Sequence, residues 1–256
     1  MRKMGSEYYE DQTIVDEYLL FHYGDEKEFL LNGAGPREAL HFPCRCGDLW
    51  RKAEPKKRRR ALDLGCAVGG SSMELSKNFE EVIAIDFSFA LIEAAKMLSQ
   101  HGSQVISKKT EGDLTAEAII KLPPKAQPER VRFSQGDAMD LPTDIGSFDF
   151  ILGANLIDRL PDPATCLRNL KTLVADGGVI AITSPYTWME SFTPKTKWLG
   201  GYRSESGADI RALDTLTQLL APEFELKSRS DMPFLIREHE RKNQYTFAEA
   251  TVWKKL

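Results

Sequence analysis

An acid and three glycines are close neighbours in ALDLGCAVGG, residues 61–70: Asp63, then Gly65, Gly69 and Gly70. A turn of this composition lets a ligand approach the backbone closely. A phosphate-cradling loop would need Lys followed by Ser or Thr after its last glycine, but Gly70 is followed by Ser71 and Ser72. A dinucleotide fingerprint needs a glycine where this chain has Ala67, so that pyrophosphate can lie against the backbone. A Cβ there would crowd it. What remains is D-x-G-x-x-x-G. Further on, Asp86 ends the run EVIAID, where a carboxylate can accept both hydroxyls of a ribose. Asp137 sits in GDAMDLP and Asn155 in GANLIDRL.

These residues need a scaffold that brings them to one edge. From Arg60 onwards the chain alternates apolar runs with helical patterns. RRALDLG, EVIAID, RVRFSQGD, FDFILGAN and GVIAITSP read as strands. GSSMELSKNF, SFALIEAAKMLSQ (with Ser88 as its cap) and DPATCLRNLKTLV read as helices, the last closed by Asp176-Gly177-Gly178. Such alternation predicts a parallel sheet with right-handed crossovers, whose ligands bind beyond the carboxyl ends of the strands. Residues 8–23 predict an amphipathic helix ended by Gly24, and 25–59 an irregular stretch apart from a short helix around 38–40. The expected organisation is one domain, 1–256: an N-terminal cap, 1–59, and a core, 60–256, interrupted by insertions at 103–129 and 184–206. The first insertion, rich in proline, reads as irregular. The second carries two of the four tryptophans and is expected to line a pocket. The C-terminal part predicts two β-like runs around a short amphipathic segment, paired as a hairpin at one sheet edge.

Composition narrows the function. The chain has 256 residues, 42% of them hydrophobic, and a net charge of −4. This balance suits a sizeable core and offers no basic face for nucleic acid. The cluster Lys56-Lys57-Arg58-Arg59-Arg60 reads as a solvated lead into a strand. No segment has the length and apolarity of a signal peptide or bilayer span, so a cytoplasmic setting without a membrane partner is expected. Four cysteines without a CxxC pair do not suggest a disulfide framework. His41, Cys44 and Cys46 lack a fourth ligand, so no metal is expected.

The loop, Asp86, Asp137 and GANLIDRL, in this order on successive strand ends, resemble the class I methyltransferases that use S-adenosyl-L-methionine and release S-adenosyl-L-homocysteine. The resemblance implies a Rossmann-like α/β fold. Its sheet would be doubly wound, seven-stranded and mostly parallel, with an antiparallel C-terminal edge hairpin and an N-terminal helical cap. It implies cofactor contacts from Asp63, Gly65, Ala67, Gly69, Asp86, Phe87, Asp137, Ala138 and Asn155. The fourth strand ends in Gly-Ala-Asn155-Leu and not in Asn-Pro-Pro-Tyr, so an adenine- or glutamine-modifying role is disfavoured and a small-molecule acceptor is expected.

A narrower resemblance is carried by YLLFHYG (18–24), FPCRC (42–46), LPDP (160–163), TSPYTWMESFTPKTKWLGG (183–201) and DMPFLIREHERKNQY (231–245). Together with the loop, these look like the methyltransferase of ovothiol biosynthesis, which N-methylates the imidazole of 5-thiohistidine. That family also occurs fused to a non-haem iron domain. The chain is too short to hold one, so the resemblance implies the stand-alone methylation step, with a sulfoxide synthase as the upstream partner. The acceptor's sulfur is the better nucleophile in solution, so the pocket must aim a ring nitrogen and hold the sulfur away. Candidate catalytic residues are Asn155, Tyr186 and His239. Candidate substrate contacts are Tyr9, His22, Tyr23, Arg45, Tyr186, Trp188, Trp198 and Arg237, with Arg237 or Arg45 for a carboxylate. Two other readings stay open: a nicotinamide-dependent reductase, and a cofactor-binding subunit without catalysis.

Overall fold

The computed structural model describes residues 6–256; the first five residues of the expected cap lie outside them. In chain order the elements are α1 (Gln12–Tyr23), α2 (Phe42–Gly47), β1 (Arg60–Leu64), α3 (Gly70–Leu75), β2 (Glu81–Asp86), α4 (Phe89–His101), β3 (Ser103–Glu111) and β4 (Leu114–Lys121). There follow β5 (Val131–Gln135), β6 (Phe148–Ala154), α5 (Pro163–Leu173), β7 (Val174–Ser184), β8 (Tyr202–Arg203), β9 (Asp209–Ile210), α6 (Ala212–Leu220), β10 (Phe224–His239) and β11 (Lys242–Lys255).

Seven strands form one sheet in the order β10-β11-β7-β6-β1-β2-β5. Those from β7 to β5 run parallel, and β11 pairs antiparallel with both β7 and β10. This is the expected Rossmann-like, mostly parallel sheet with its C-terminal edge hairpin. The winding reverses between β1 and β6, so their carboxyl ends flank the switch point at which such sheets bind ligands.

β1 lies at the centre and is covered on both faces. Leu62 and Leu64 pack with Ile180, Ile182 and Trp253 towards α5 and α6. Ala61 packs with Phe79, Phe150 and Ala181 towards α2 and α3. Each such buried side chain of leucine size contributes about 1.5–3 kcal/mol, and Asp63, in register with Ala84 and Leu152, is carried into the interior with them. Helix starts follow local chemistry: the Ser88 hydroxyl accepts the Leu91 N–H at 3.1 Å, and Asp162 accepts the Thr165 N–H at 3.1 Å. α5 buries Pro163, Cys166, Leu167 and Leu170, the i, i+3, i+4, i+7 stripe of an amphipathic helix.

Five expectations change. The stretch 25–59 carries, besides the short turn Arg37–Ala39, the helix α2 at Phe42–Gly47. Residues 103–121 are not irregular but form the antiparallel hairpin β3–β4, turning at Gly112-Asp113 with Gly112 at φ +55°. Asp176-Gly177-Gly178 does not close α5, which ends at Leu173; it lies inside β7. α6 was not anticipated, although Ala212, Leu216 and Leu220 share one buried stripe. The C-terminal hairpin has no separate amphipathic segment, because β10 runs as one strand from Phe224 to His239, bulged between Leu226 and Ser228 and between Arg237 and His239. No helix among the described residues is long and apolar enough to cross a membrane.

Candidate active site

A cavity of about 660 Å³ opens at the switch point, a volume typical of small-molecule sites. Asp63, Asp86 and Asp137 reach it from the ends of β1, β2 and β5. Asp63 is fully buried and accepts the Ser72 hydroxyl at 2.6 Å. Burial pushes its carboxyl up to about 7, with the Ser72 hydrogen bond opposing. Asp86 accepts two backbone N–H groups, from Ala67 at 2.8 Å and Ser88 at 2.9 Å. Burial raises its pKa, and these same N–H groups oppose the rise. Asp137 accepts the N–H of Met139 at 2.8 Å.

The glycine loop needs its unusual residues. Gly65 and Gly69 sit at φ +74° and +83°, and Ala67 also turns left-handed at +48°. A Cβ on Gly69 would stand 2.5 Å from the Phe133 ring, so only glycine fits that packing. The cap grips the loop from outside. The Tyr23 hydroxyl donates to the Val68 carbonyl at 2.8 Å, and the Gly70 N–H donates to His22 Nδ1 at 3.0 Å. His22 is therefore a neutral imidazole with its proton on Nε2. Desolvation drives its pKa down to about 3.

Asn155, the residue after β6, takes φ +50° and is held by Thr183. Its N–H donates to the Thr183 carbonyl at 2.9 Å, and its Oδ1 accepts the Thr183 hydroxyl at 2.9 Å. Tyr9, His22, Asp63, Gly65, Ala67, Asp86, Phe87, Asp137, Ala138 and Asn155 line the cavity together.

Other expected site residues lie elsewhere. Gly69 and Tyr23 shape the loop from behind without lining the cavity. The Tyr186 hydroxyl donates to Glu249 Oε2 at 2.7 Å, and burial beside that carboxylate raises its pKa. Trp188 and Trp198 stack on each other at 6.3 Å, and Trp198 Nε1 donates to the Thr193 carbonyl at 2.9 Å. From this aromatic insertion only Ser191 and Phe192 reach the cavity. Arg45 donates to the carbonyls of Leu40 and Pro233. Arg237 lies on the far side of β10 among Thr13, Asp16 and Lys108, because strand alternation sends Phe234 and Ile236 to the cavity instead. His239 stands at the hairpin turn, where its Nδ1 accepts the Arg241 N–H.

Sequence reasoning missed Arg159, Tyr18, Phe21, Phe42 and Phe192, which also line the cavity. Arg159 lies inside GANLIDRL, and Phe21 and Phe42 lie inside the cap segments already singled out. The signal for all three was present as motif membership.

A family model described as a methyltransferase domain matches residues 38–223. The chain belongs to this methyltransferase family. The methyltransferase is 26% identical over 199 residues to the chloroplastic tocopherol O-methyltransferase of Arabidopsis thaliana, covering 73% of this chain and 50% of that protein. It is 28% identical over 130 residues to ajmaline N-methyltransferase of Rauvolfia serpentina, covering 50% and 37%. The chain thus spans half or less of the length of these curated relatives. Among solved structures it resembles the N-methyltransferase NodS of Bradyrhizobium japonicum in complex with S-adenosyl-L-homocysteine. That match has a TM-score of 0.53 at 14% identity and covers 96% and 99% of the two chains. It also resembles the [4+2]-cyclase SpnF, with a TM-score of 0.56 at 16% identity, covering 100% and 97%. Such identities speak for the fold alone.

The cofactor of this methyltransferase fold is S-adenosylmethionine, and the residues present suit it. Its ammonium, ribose hydroxyls and adenine amine are all donors, and the three strand-end aspartates are all acceptors.

Proposed function

We propose that this protein transfers a methyl group from S-adenosylmethionine to an imidazole nitrogen of 5-thiohistidine. One observation carries the reading. The segments that resemble the ovothiol methyltransferase meet at the cavity: YLLFHYG supplies Tyr18, Phe21 and His22, FPCRC supplies Phe42 and Pro43, and DMPFLIREH supplies Phe234 and Ile236. They form an apolar, aromatic wall facing the glycine loop, with Phe42 and Phe234 rings 4.8 Å apart.

When bound, the cofactor supplies a methyl carbon on a sulfonium centre, open to in-line attack. The protein's part is mainly to position the acceptor. Aromatic walls can fix a flat ring, and Asn155 presents an amide at the mouth of β6. A neutral imidazole already carries a free lone pair, so the acceptor needs no base before attack. This agrees with His22, the only histidine among the described residues lining the cavity, whose Nδ1 is engaged by the Gly70 N–H. The proton on the other ring nitrogen leaves afterwards to water. The upstream step would be carbon–sulfur bond formation on histidine by a separate sulfoxide synthase.

Incubation with 5-thiohistidine and S-adenosylmethionine, followed by mass spectrometry, should show a singly N-methylated product. Turnover on histidine or a phenol, with none on 5-thiohistidine, would assign the methyltransferase another small-molecule acceptor.

A further inference from the structure

We propose that Arg159 is the specificity determinant for the acceptor, holding an anionic group, a carboxylate in the first instance, beside the Tyr9 hydroxyl. The proposal rests on the methyl-transfer reading above and deepens it. It selects negatively charged small molecules over their neutral or cationic counterparts.

Arg159 is the only cationic side chain among the described residues lining the cavity. Asp63, Asp86 and Asp137 supply the acids, all from strands on one side of the switch point. Arg159 stands on the other side, in the turn Ile157–Arg159 that follows β6. The charge of the site is therefore divided between a cofactor side rich in acceptors and an acceptor side with one cation. Neither arginine expected to bind a carboxylate lies in the cavity: Arg45 is tied to backbone carbonyls and Arg237 is behind β10.

The guanidinium is also held in place. Nη1 donates to Asp158 Oδ2 at 2.8 Å, to the Asp158 carbonyl at 2.9 Å and to the Thr187 carbonyl at 3.0 Å. Asp158 is itself fully buried and fixed, accepting the Ser184 hydroxyl at 3.1 Å and the Thr187 N–H at 3.1 Å. The Phe192 ring lies 5.2 Å from the guanidinium carbon. All three bonds are made by Nη1, and the hydroxyl of Tyr9, which lines the cavity with Arg159, is a further hydrogen-bond partner of the guanidinium. An arginine oriented from behind through one nitrogen, with a tyrosine hydroxyl bonded to it on the cavity side, is preorganised for a planar anion.

The test uses the full chain loaded with S-adenosylhomocysteine and titrates aromatic and heteroaromatic amino acids against their decarboxylated amines by calorimetry. The probe pairs include histidine with histamine and 5-thiohistidine with its decarboxylated analogue. We expect the wild-type protein to prefer the carboxylate member at least tenfold. Arg159→Gln should abolish the preference, Arg159→Lys should keep part of it, and S-adenosylhomocysteine affinity should stay within about twofold. If Arg159→Gln fails to fold, Tyr9→Phe should still reduce the preference severalfold. Absence of preference in the wild type, or binding by no carboxylate probe, overturns the proposal. So does a loss of S-adenosylhomocysteine affinity in Arg159→Gln with the preference intact, which would give the cation to the cofactor. A carboxylate preference without methylation of 5-thiohistidine would support Arg159 and remove only the named acceptor.

Discussion

Oδ2 of Asp86 accepts the backbone N–H of Ala67 at 2.8 Å, so the acid that ends β2 also fixes the left-handed turn of the loop after β1. Its other oxygen accepts the N–H of Ser88, the residue that caps α4. One carboxylate therefore aligns three segments of the cofactor wall. Asp86→Ala should raise the Kd for S-adenosylhomocysteine at least tenfold, since charge-assisted hydrogen bonds and loop geometry are lost together. Calorimetry measures this directly, and an unchanged Kd would take Asp86 out of the site.

Gly69→Ala should lower stability by about 1–3 kcal/mol, because the new Cβ meets Phe133 and the residue must keep φ +83°. Gly153→Ala is the matched control: nothing lies within 4 Å of its added Cβ. Thermal melts should separate the two, with the control unchanged or slightly raised.

Acid should act through His22. Its folded pKa of about 3 lies below the unfolded value near 6.5, so the unfolded chain binds more protons between those limits. This group's contribution is intact above about 6.5 and is lost as pH falls towards about 3. The ring borders the cavity and is only half-buried, so the slope should stay below about 1.4 kcal/mol per pH unit. His22→Asn can keep an acceptor for the Gly70 N–H and should flatten that part of the denaturation profile. An unchanged profile would mean that His22 does not titrate as its surroundings require.

Asp63 works in the opposite sense. Its folded pKa, about 7, is raised above the usual carboxylate value, so its contribution is present below about 3.9 and is lost as pH rises through 7. A cationic ammonium favours the ionised form. The Kd for S-adenosylhomocysteine should therefore fall as pH rises towards 7 and level off above it. Asp63→Asn should remove this dependence and, without ligand at pH 8, melt higher than the wild type. A steep pH dependence surviving in Asp63→Asn would assign it to another group.

Tyr186→Phe should cost about 1 kcal/mol, the net value of one hydrogen bond, and leave kcat for methyl transfer unchanged, because its hydroxyl points to Glu249. A large fall in kcat without a fall in melting temperature would bring Tyr186 back into the chemistry.

The cofactor side was legible in the sequence because strand ends and their spacing fix it. Asp63 sits one residue before the end of β1, Asp86 ends β2 and Asp137 follows β5 by two residues, and a parallel sheet brings such ends to one edge. The acceptor side was only partly legible. Composition marked the aromatic insertion, but Trp188 and Trp198 stack on each other, and Trp188 packs against the α5–α6 side of the core. Arg237 was one residue out of phase with Phe234 and Ile236, and in a strand one residue means the opposite face. The β3–β4 hairpin had a local signal, Gly-Asp between two alternating runs, which the nearby prolines obscured.

That hairpin has a consequence for how the site assembles. Asp16 of α1 accepts the N–H of Ser107 in β3 at 3.1 Å, and the apolar face of α1 packs with Ile106, Ala118 and Ile120. α1 thus reaches its seat only after a segment about ninety residues further along the chain has emerged and paired. Tyr18 and His22 lie on this helix, so the cavity wall depends on long-range contacts, which are slow to form. The wall that recognises the acceptor is thus expected to set late in folding, after much of the parallel sheet behind it.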